Sequence, residues 1–191
     1  MLVLRQCYHE GADHDVKGDW LVPISGVLRR IEDNLNYLSL SEKKVAQWIL
    51  DHPHEVLTMT VKEVAHHAQS SQAAVTRCCH TLQVDGFGQL KVLLTADLVR
   101  EELLQMAKEE LPHSIATVVS EWDPPLVRVE ILVERESQKP IVIGKGGEIL
   151  KAVGIAVRRQ LPKGTRLELF VKVDKNWQGS SKSLSRLGLM P

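Results

Sequence analysis

The chain has 191 residues, and its 24 Lys and Arg side chains are balanced by 24 Asp and Glu, so its formal net charge is zero. This balance excludes a uniformly basic nucleic-acid coat protein. A hydrophobic content of 43% and a charged content of 25% exclude wholesale disorder and predict one large or two small globular domains.

Residues 1–23 show no sustained periodicity, and we predict that they form a loosely ordered arm. They lack the apolar segment of a secretory signal, and no stretch of the chain approaches the roughly 18 uninterrupted apolar residues of a membrane helix. The three cysteines are an odd number without CxxC spacing, which is typical of reduced thiols. We therefore expect a cytoplasmic protein without membrane contact.

Helical periodicity begins at Ile24, where apolar residues recur at three- and four-residue spacing. A second helix is predicted to begin after Ser39, because Ser39 and Glu42 have the spacing of a capping box. Thr60 and Glu63 form another such box, and Ser71 can cap a further helix. The last two helices meet across Gln69-Ser70, which is helix-turn-helix spacing.

In a helix-turn-helix, the second helix enters the major groove of DNA. Six polar side chains are then predicted to face bases or phosphates: Ser71, Gln72, Thr76, Arg77, His80 and Lys91. The alternative is a module that serves only packing or dimerisation, because this segment is not net basic. Gln69 stands where glycine is usual, so we expect its backbone to be forced into the left-handed region.

These helices resemble the DNA-binding domain of RpiR-type regulators, over roughly 24–98. The resemblance is carried by four segments: Leu38 to Ala46, Asp51-His52-Pro53, Ser71 to Arg77 and Gly86-Phe87. In that family a sugar-isomerase-like domain that senses sugar phosphates follows, whereas this chain continues differently. The resemblance implies binding to duplex DNA. Since helix-turn-helix proteins generally act on paired half-sites, a homodimer through the N-terminal domain is expected.

Beyond Pro112 the period changes from helix to strand. The pattern predicts two strands joined by a turn at 123–125, a short helix, the sequence Gly144-Lys145-Gly146-Gly147, a longer helix and a third strand. Residues 137–191 carry 11 Lys and Arg against three acidic side chains, a local charge of about +8. All eight His lie at or before His113, so acid–base catalysis in this part is not expected.

A glycine-rich loop between two helices can bring main-chain N–H groups close to phosphates, and a lysine within it adds a mobile cation. The candidate RNA-binding residues are Ile141, Ile143, Gly144, Lys145, Gly146, Gly147, Lys151 and Arg158. We expect Ile141-Val142-Ile143 to form the floor beneath the bases. A P-loop requires GxxxxGK[ST], which is absent from the chain, and the Rossmann fingerprint fails at its third glycine. A plain helix-to-helix turn is the remaining alternative.

The C-terminal half closely resembles the type II KH domain of the Era family of bacterial GTPases, over roughly 100–189. The resemblance is carried by 110–115, 133–139, 143–147, 171–173 and 175–177. It implies binding to single-stranded RNA, in that family the 3′ end of small-subunit ribosomal RNA during ribosome maturation. The resemblance does not include the family's GTPase domain.

We therefore predict an α+β protein, in which an all-α helix-turn-helix bundle over 24–98 precedes a type II KH domain over 99–191, a three-stranded sheet with helices. The predicted function is nucleic-acid binding without enzymatic activity or a cofactor. A DNA-binding regulator with an auxiliary KH domain is the alternative, and recombination of pieces of two larger proteins is another origin for the chain. Cys78-Cys79-His80 is not expected to bind metal, because consecutive helical residues do not converge on one ion.

Overall fold

The computed structural model of the chain describes residues 26–106 and 115–175. The first range is entirely helical, and the helix that ends it is the longest of the described residues. Its helices are α1 (Val27–Asn34), α2 (Leu40–Asp51), α3 (Pro53–Val56), α4 (Val61–His67), α5 (Gln72–Thr81) and α6 (Gly86–Met106), with a 3-10 turn at Leu35–Tyr37. The predicted arm, 1–23, lies outside the described residues.

Both predicted capping boxes are present. At the start of α2, the carboxylate of Glu42 accepts a hydrogen bond from the Ser39 N–H at 2.9 Å. At the start of α4, the Glu63 carboxylate accepts from the Thr60 N–H at 2.6 Å, and Thr60 Oγ1 accepts from the Glu63 N–H at 3.3 Å. Each box satisfies backbone N–H groups that have no partner within their helix, so the sequence sets where these helices begin.

The second range contains a three-stranded sheet and two helices. Its elements are β1 (Ala116–Asp123), β2 (Leu126–Val133), α7 (Lys139–Ile143), α8 (Glu148–Gln160) and β3 (Arg166–Val173). The strand order is β1-β2-β3, with β1 antiparallel and β3 parallel to β2. A parallel neighbour requires a crossover connection, and α7 and α8 supply it.

One face of the sheet is covered by helices. Alternate residues of β2 point to this face, and all four are buried: Val127, Val129, Ile131 and Val133. Val153 and Val157 of α8 are buried in the same core. The predicted fold class is confirmed: a helix-turn-helix bundle is followed by a three-stranded sheet with helices of the type II KH arrangement.

Helix α6 joins the two ranges into one hydrophobic core. It passes without interruption through residues 98 and 99, where the sequence analysis places its domain boundary. The hydroxyl of Thr117 in β1 donates a hydrogen bond to the Ala96 carbonyl at 2.8 Å. The Gln160 amide of α8 donates to the Glu102 carboxylate at 2.9 Å. The run of acidic and basic residues from Arg100 to Glu110 predicts a solvated connecting helix. Leu103 is completely buried, so up to Met106 this segment is instead part of the core.

Within the described ranges, no helix is both long enough and apolar enough to span a membrane.

Candidate nucleic-acid interface

The glycine-rich loop lies between α7 and α8, as predicted. Gly144 ends α7 with φ of 76° and ψ of 169°, a conformation essentially confined to glycine. Gly146 and Gly147 also have positive φ, at 63° and 82°. Three positive φ values in four residues explain why the loop is built from glycine, with Lys145 as its one side chain beyond Cα.

The space around the loop differs from one glycine to the next. A Cβ on Gly144 would lie 2.7 Å from Cγ1 and 2.9 Å from the backbone nitrogen of Ile149, so this position is closed. A Cβ on Gly146 or Gly147 would meet nothing within 4 Å. The outer half of the loop therefore presents backbone to open space, and Lys145 beside it is exposed.

Helix α8 begins at this open side. Gly147 is its N-cap residue, and no side chain caps the helix by a hydrogen bond. The first N–H groups of a helix lack intrahelical partners and carry the positive end of its dipole. The Gly147 and Glu148 N–H groups donate to the Gly144 and Lys145 carbonyls, and the exposed Glu148 carboxylate lies in the first turn of α8. The positive features of this surface are therefore Lys145 and the helix dipole.

The short helix α7 divides its apolar residues between the core and the surface. Val142 is completely buried, whereas Ile141 and Ile143 are half-buried. The expectation that all three residues form the floor of the groove is thus wrong for Val142. In α7 successive side chains point about 100° apart, so the middle residue faces the sheet when its neighbours are partly exposed.

Lys151 and Arg158 are exposed and lie two turns apart on the same side of α8. Arg158 Nε donates a hydrogen bond at 2.8 Å to the carbonyl of Gly154, one turn earlier on its own helix. Between the two cations lies Ile155, with 38% of its surface exposed. Ile155 is not among the predicted site residues, although its spacing from Lys151 and Arg158 places it on their side of the helix.

The helix-turn-helix geometry is also present. The turn between α4 and α5 is closed by the Ser70 N–H, which donates to the Ala65 carbonyl at 2.9 Å, and by the Gln69 N–H, which donates to the His66 carbonyl at 3.1 Å. Gln69 has φ of 48°, so the predicted left-handed conformation is confirmed. The Ser70 hydroxyl donates to the Ser41 carbonyl of α2 at 3.0 Å and fixes the turn against that helix.

Helix α5 exposes a polar side and buries an apolar one. Four of the candidate DNA-binding side chains are exposed along it: Gln72, Thr76, Arg77 and His80. Ser71 is the N-cap residue, and its Oγ accepts from the Ala74 N–H at 3.1 Å, so it positions the helix. Lys91 belongs to α6, is half-buried, and places its Nζ 5.1 Å from the centre of the Phe87 ring. Burial lowers the pKa of Lys91.

Glu42 of α2 forms a hydrogen bond with the end of α5, a role that the sequence pattern did not indicate. Its carboxylate is only 7% exposed and accepts a hydrogen bond from the Thr81 hydroxyl at the end of α5, at 3.0 Å. Hydrogen bonds from the side chain and backbone of Ser39 lower the pKa of Glu42, so this group is ionised at neutral pH. The capping residue of α2 therefore also holds the exposed helix in place.

Cys78 and Cys79 are free thiols buried in the core. Burial raises the pKa of Cys78 to about 12 and that of Cys79 to about 11, so neither is a reactive thiolate at neutral pH. His80 is exposed, whereas both cysteines are buried. In the part of the chain that the structure describes, no three His, Cys, Asp or Glu side chains are grouped so that they could hold a metal ion.

Two family models match the chain, one in each half. Residues 25–101 match the helix-turn-helix domain of the rpiR family. Residues 110–178 match the KH domain. The first match ends within α6, at residue 101, and the second begins at residue 110.

Curated relatives match the C-terminal half. The GTPase Era of Mycobacterium avium (strain 104) is 50% identical over 107 residues, which cover 50% of this chain and 36% of that protein. The GTPase Era of Mycobacterium leprae (strain TN) gives the same identity and coverage. The chain thus spans about a third of the length of the curated relatives it matches.

Solved structures match both halves. The N-terminal domain of the ybbH protein of Bacillus subtilis is 42% identical, with 39% of this chain and 90% of that one covered and a TM-score of 0.38. Era in complex with MgGDPNP and nucleotides 1506-1542 of 16S ribosomal RNA is 35% identical, with coverages of 52% and 37% and a TM-score of 0.49.

The fold and the two exposed surfaces define a nucleic-acid-binding protein with one helix-turn-helix domain and one KH domain. In its N-terminal half the chain resembles the helix-turn-helix domain of the rpiR family, and in its C-terminal half it resembles the KH domain of the GTPase Era.

Proposed function

We propose that the protein binds single-stranded RNA through the loop from Gly144 to Gly147, and that it is a binding protein without catalytic activity of its own. The observation that carries this proposal is the open, positive-φ backbone at Gly146 and Gly147, next to an exposed Lys145. KH domains use a Gly-x-x-Gly loop to clamp the backbone of about four nucleotides. The C-terminal half is 50% identical to the GTPase Era of Mycobacterium avium, and the resemblance to the Era family implies small-subunit ribosomal RNA as the target.

The chemistry of the loop suits a phosphodiester backbone. A phosphate can approach the main chain at Gly146 and Gly147 because no Cβ stands in its way. The N-terminus of α8 supplies the positive end of a helix dipole, and Lys145 supplies a mobile cation. Ile141, Ile143 and Ile155 offer apolar surface for bases, while Lys151 and Arg158 can contact further phosphates.

The variant Lys145→Asp/Gly146→Asp tests this function by fluorescence anisotropy of the full chain with a short single-stranded RNA. Asp is among the residues that best tolerate the left-handed conformation at position 146, and it meets no neighbour there, so the fold should be kept. We expect binding to weaken by roughly tenfold or more. A matched control, Lys62→Asp/Gly88→Asp, makes the same charge change at exposed sites of the other half. Equal affinity of the loop variant and the wild type would refute the proposal.

A second candidate function is sequence-selective binding to duplex DNA by α5, as in an RpiR-like transcriptional regulator. It is favoured by the exposed polar side of α5, the helix that follows the turn of the helix-turn-helix. This side carries Gln72, Thr76, Arg77 and His80. Amide, hydroxyl and guanidinium groups are the side chains that read base edges in the major groove.

Selection of binding sites from random duplexes, followed by affinity measurement on the selected sequence, tests the DNA-binding function. Arg77→Ala should cost about 1–3 kcal/mol on the selected site. Arg159→Ala removes an exposed arginine from the other half and should leave duplex affinity unchanged. Failure to enrich any sequence would contradict this second function. DNA binding could then not be assigned to the helix-turn-helix domain over 24–98.

A further inference from the structure

An exposed apolar patch lies where α1 is connected to α2. Tyr37 and Leu40 are 82% and 76% exposed, the highest values among the large hydrophobic side chains of the described residues. Leu40 also lines an open cleft of about 510 Å³, together with the apolar side chains of Leu35 and Trp48. Large apolar side chains rimmed by polar ones are characteristic of an interaction surface.

Two cations line the same cleft. Lys43 and Lys44 belong to its lining, and neither forms a salt bridge with a residue of 26–106 or 115–175. Asp51 also lines the cleft, and its carboxylate accepts a hydrogen bond from the Gln47 amide at 3.1 Å. The cleft therefore suits an occupant that carries apolar side chains next to an excess of negative charge.

The sequence that precedes α1 has this composition. Residues 10–19 contain four acidic side chains and one lysine, and the apolar triplet Trp20-Leu21-Val22 follows directly. Acidic and apolar groups are thus adjacent in the sequence, as basic and apolar groups are adjacent in the cleft. The segment 10–22 is complementary to the cleft in both respects.

The chain before α1 is long enough to reach the cleft. Helix α1 has eight residues and the 3-10 turn after it has three, which together span about 18 Å. Trp20 lies six positions before Gly26, the first described residue, and an extended chain of six residues spans roughly 20 Å. Trp20 can therefore reach Leu40, and the acidic residues before it can reach the two lysines.

We propose that the segment 10–22 docks into this cleft of its own chain. Trp20 and Leu21 pack against Leu40, and the acidic side chains of 10–19 lie beside Lys43 and Lys44. The short connection to α1 favours this occupant over a second copy, because it holds the segment at an effective concentration of about millimolar. The predicted arm is then fastened to the helix-turn-helix domain at its C-terminal part. This contact involves neither the RNA-binding nor the DNA-binding proposal.

A nitroxide spin label at position 18 of the full chain, without nucleic acid, tests the contact by nuclear magnetic resonance. The label is attached to Gly18→Cys in a Cys7→Ser background, since Cys78 and Cys79 are buried and do not compete for it. We expect the largest loss of amide signal at Leu40 and its neighbours in the cleft. A segment that does not dock would instead cause its largest loss at the start of α1, which lies nearest to it along the chain.

Two double variants of the labelled chain separate the apolar contribution from the charged one. Trp20→Ser/Leu21→Ser should lower the ratio of docked to free segment by roughly tenfold or more, because it removes the apolar groups that leave water. Lys43→Glu/Lys44→Glu should lower this ratio by about threefold or more, because it sets like charges face to face. The matched control, Lys62→Glu/Lys163→Glu, makes the same charge change at exposed lysines outside the cleft and should leave the ratio unchanged.

Three results would overturn the proposal. The first is a signal loss in the parent chain that is largest at the start of α1, and the second is a loss at Leu40 that neither double variant reduces. The third comes from a mixture of spin-labelled chains with isotope-labelled chains that carry no nitroxide. Signal loss at Leu40 in that mixture would show that the segment occupies the cleft of a second copy. Amide shifts far from the cleft verify that each variant keeps its fold.

Discussion

Asp97 of α6 occupies the space that a side chain at Gly26 would need. A Cβ built on Gly26 overlaps the Asp97 carboxylate, whose Oδ2 accepts a hydrogen bond from the Leu28 N–H at 3.1 Å. The carboxylate thus caps α1 from a helix 69 residues further along the chain, and the absent side chain at position 26 is what lets it do so. This contact fastens the first described helix to α6.

Gly26→Ala should therefore lower the free energy of unfolding by about 1–2 kcal/mol, the usual cost of losing a helix cap. Urea denaturation of the purified variant measures this loss. The penalty should nearly disappear when Gly26→Ala is made in an Asp97→Ala background, because the carboxylate with which it clashes is gone. Additive penalties would show that the two residues act independently.

The pH dependence of stability should also report on Asp97. Burial raises the pKa of Asp97 to about 6 from its usual 3.8, although hydrogen bonds from the backbone oppose the shift. Since the folded protein then holds this proton more tightly than the unfolded chain, the contribution of Asp97 to stability falls as the pH rises from about 4 through 6, by about 1–3 kcal/mol.

Asp97→Asn does not titrate and isolates this effect. Urea denaturation at several pH values should show the wild type losing stability relative to the variant between about pH 4 and 6. A difference between the two proteins that stays constant over this interval would contradict the assignment.

Local signals in the sequence predicted the elements well, and long-range contacts account for what they missed. The capping boxes at Ser39 and Thr60 and the left-handed Gln69 follow from residues within a few positions of one another. The Gly26–Asp97 contact and the bond from Thr81 to Glu42 join residues far apart in the chain, so no local pattern encodes them.

The same distinction applies to the candidate site. The glycines of the loop were predictable because their chemistry is local. The buried position of Val142 was not, since it depends on where the sheet packs against α7. The continuity of α6 through residues 98 and 99 was likewise hidden, because an amphipathic pattern does not reveal that a helix packs against two layers.

Replacing Gln69 by glycine should stabilise the protein. A non-glycine residue in the left-handed region costs about 1 kcal/mol relative to glycine. Gln69→Gly should therefore raise the free energy of unfolding by up to about 1 kcal/mol, measured by thermal or urea denaturation. The side chain of Gln69 is exposed, so its removal sacrifices no packing. A destabilised variant would show that the amide makes a contribution larger than the relief of strain.

Alanine should destabilise the fold more at Gly144 than at Gly146. An alanine at Gly144 must displace Ile149, so Gly144→Ala should destabilise the fold by about 2 kcal/mol or more. Gly146→Ala meets no neighbour, and its cost should be limited to about 1 kcal/mol of backbone strain. Denaturation curves of the two variants test this order, and equal losses would contradict the described loop geometry.

The central claim, that the glycine-rich loop is the phosphate-binding surface for single-stranded RNA, is tested most directly by the salt dependence of RNA affinity. The logarithm of the affinity should fall linearly with the logarithm of salt concentration in the wild type, with a slope of about −0.7 for each phosphate contacted. We expect Lys145→Asp/Gly146→Asp to bind more weakly at every salt concentration and with a shallower slope, while Lys62→Asp/Gly88→Asp follows the wild type. A loop variant with the affinity and slope of the wild type would contradict the claim and move nucleic-acid recognition to α5.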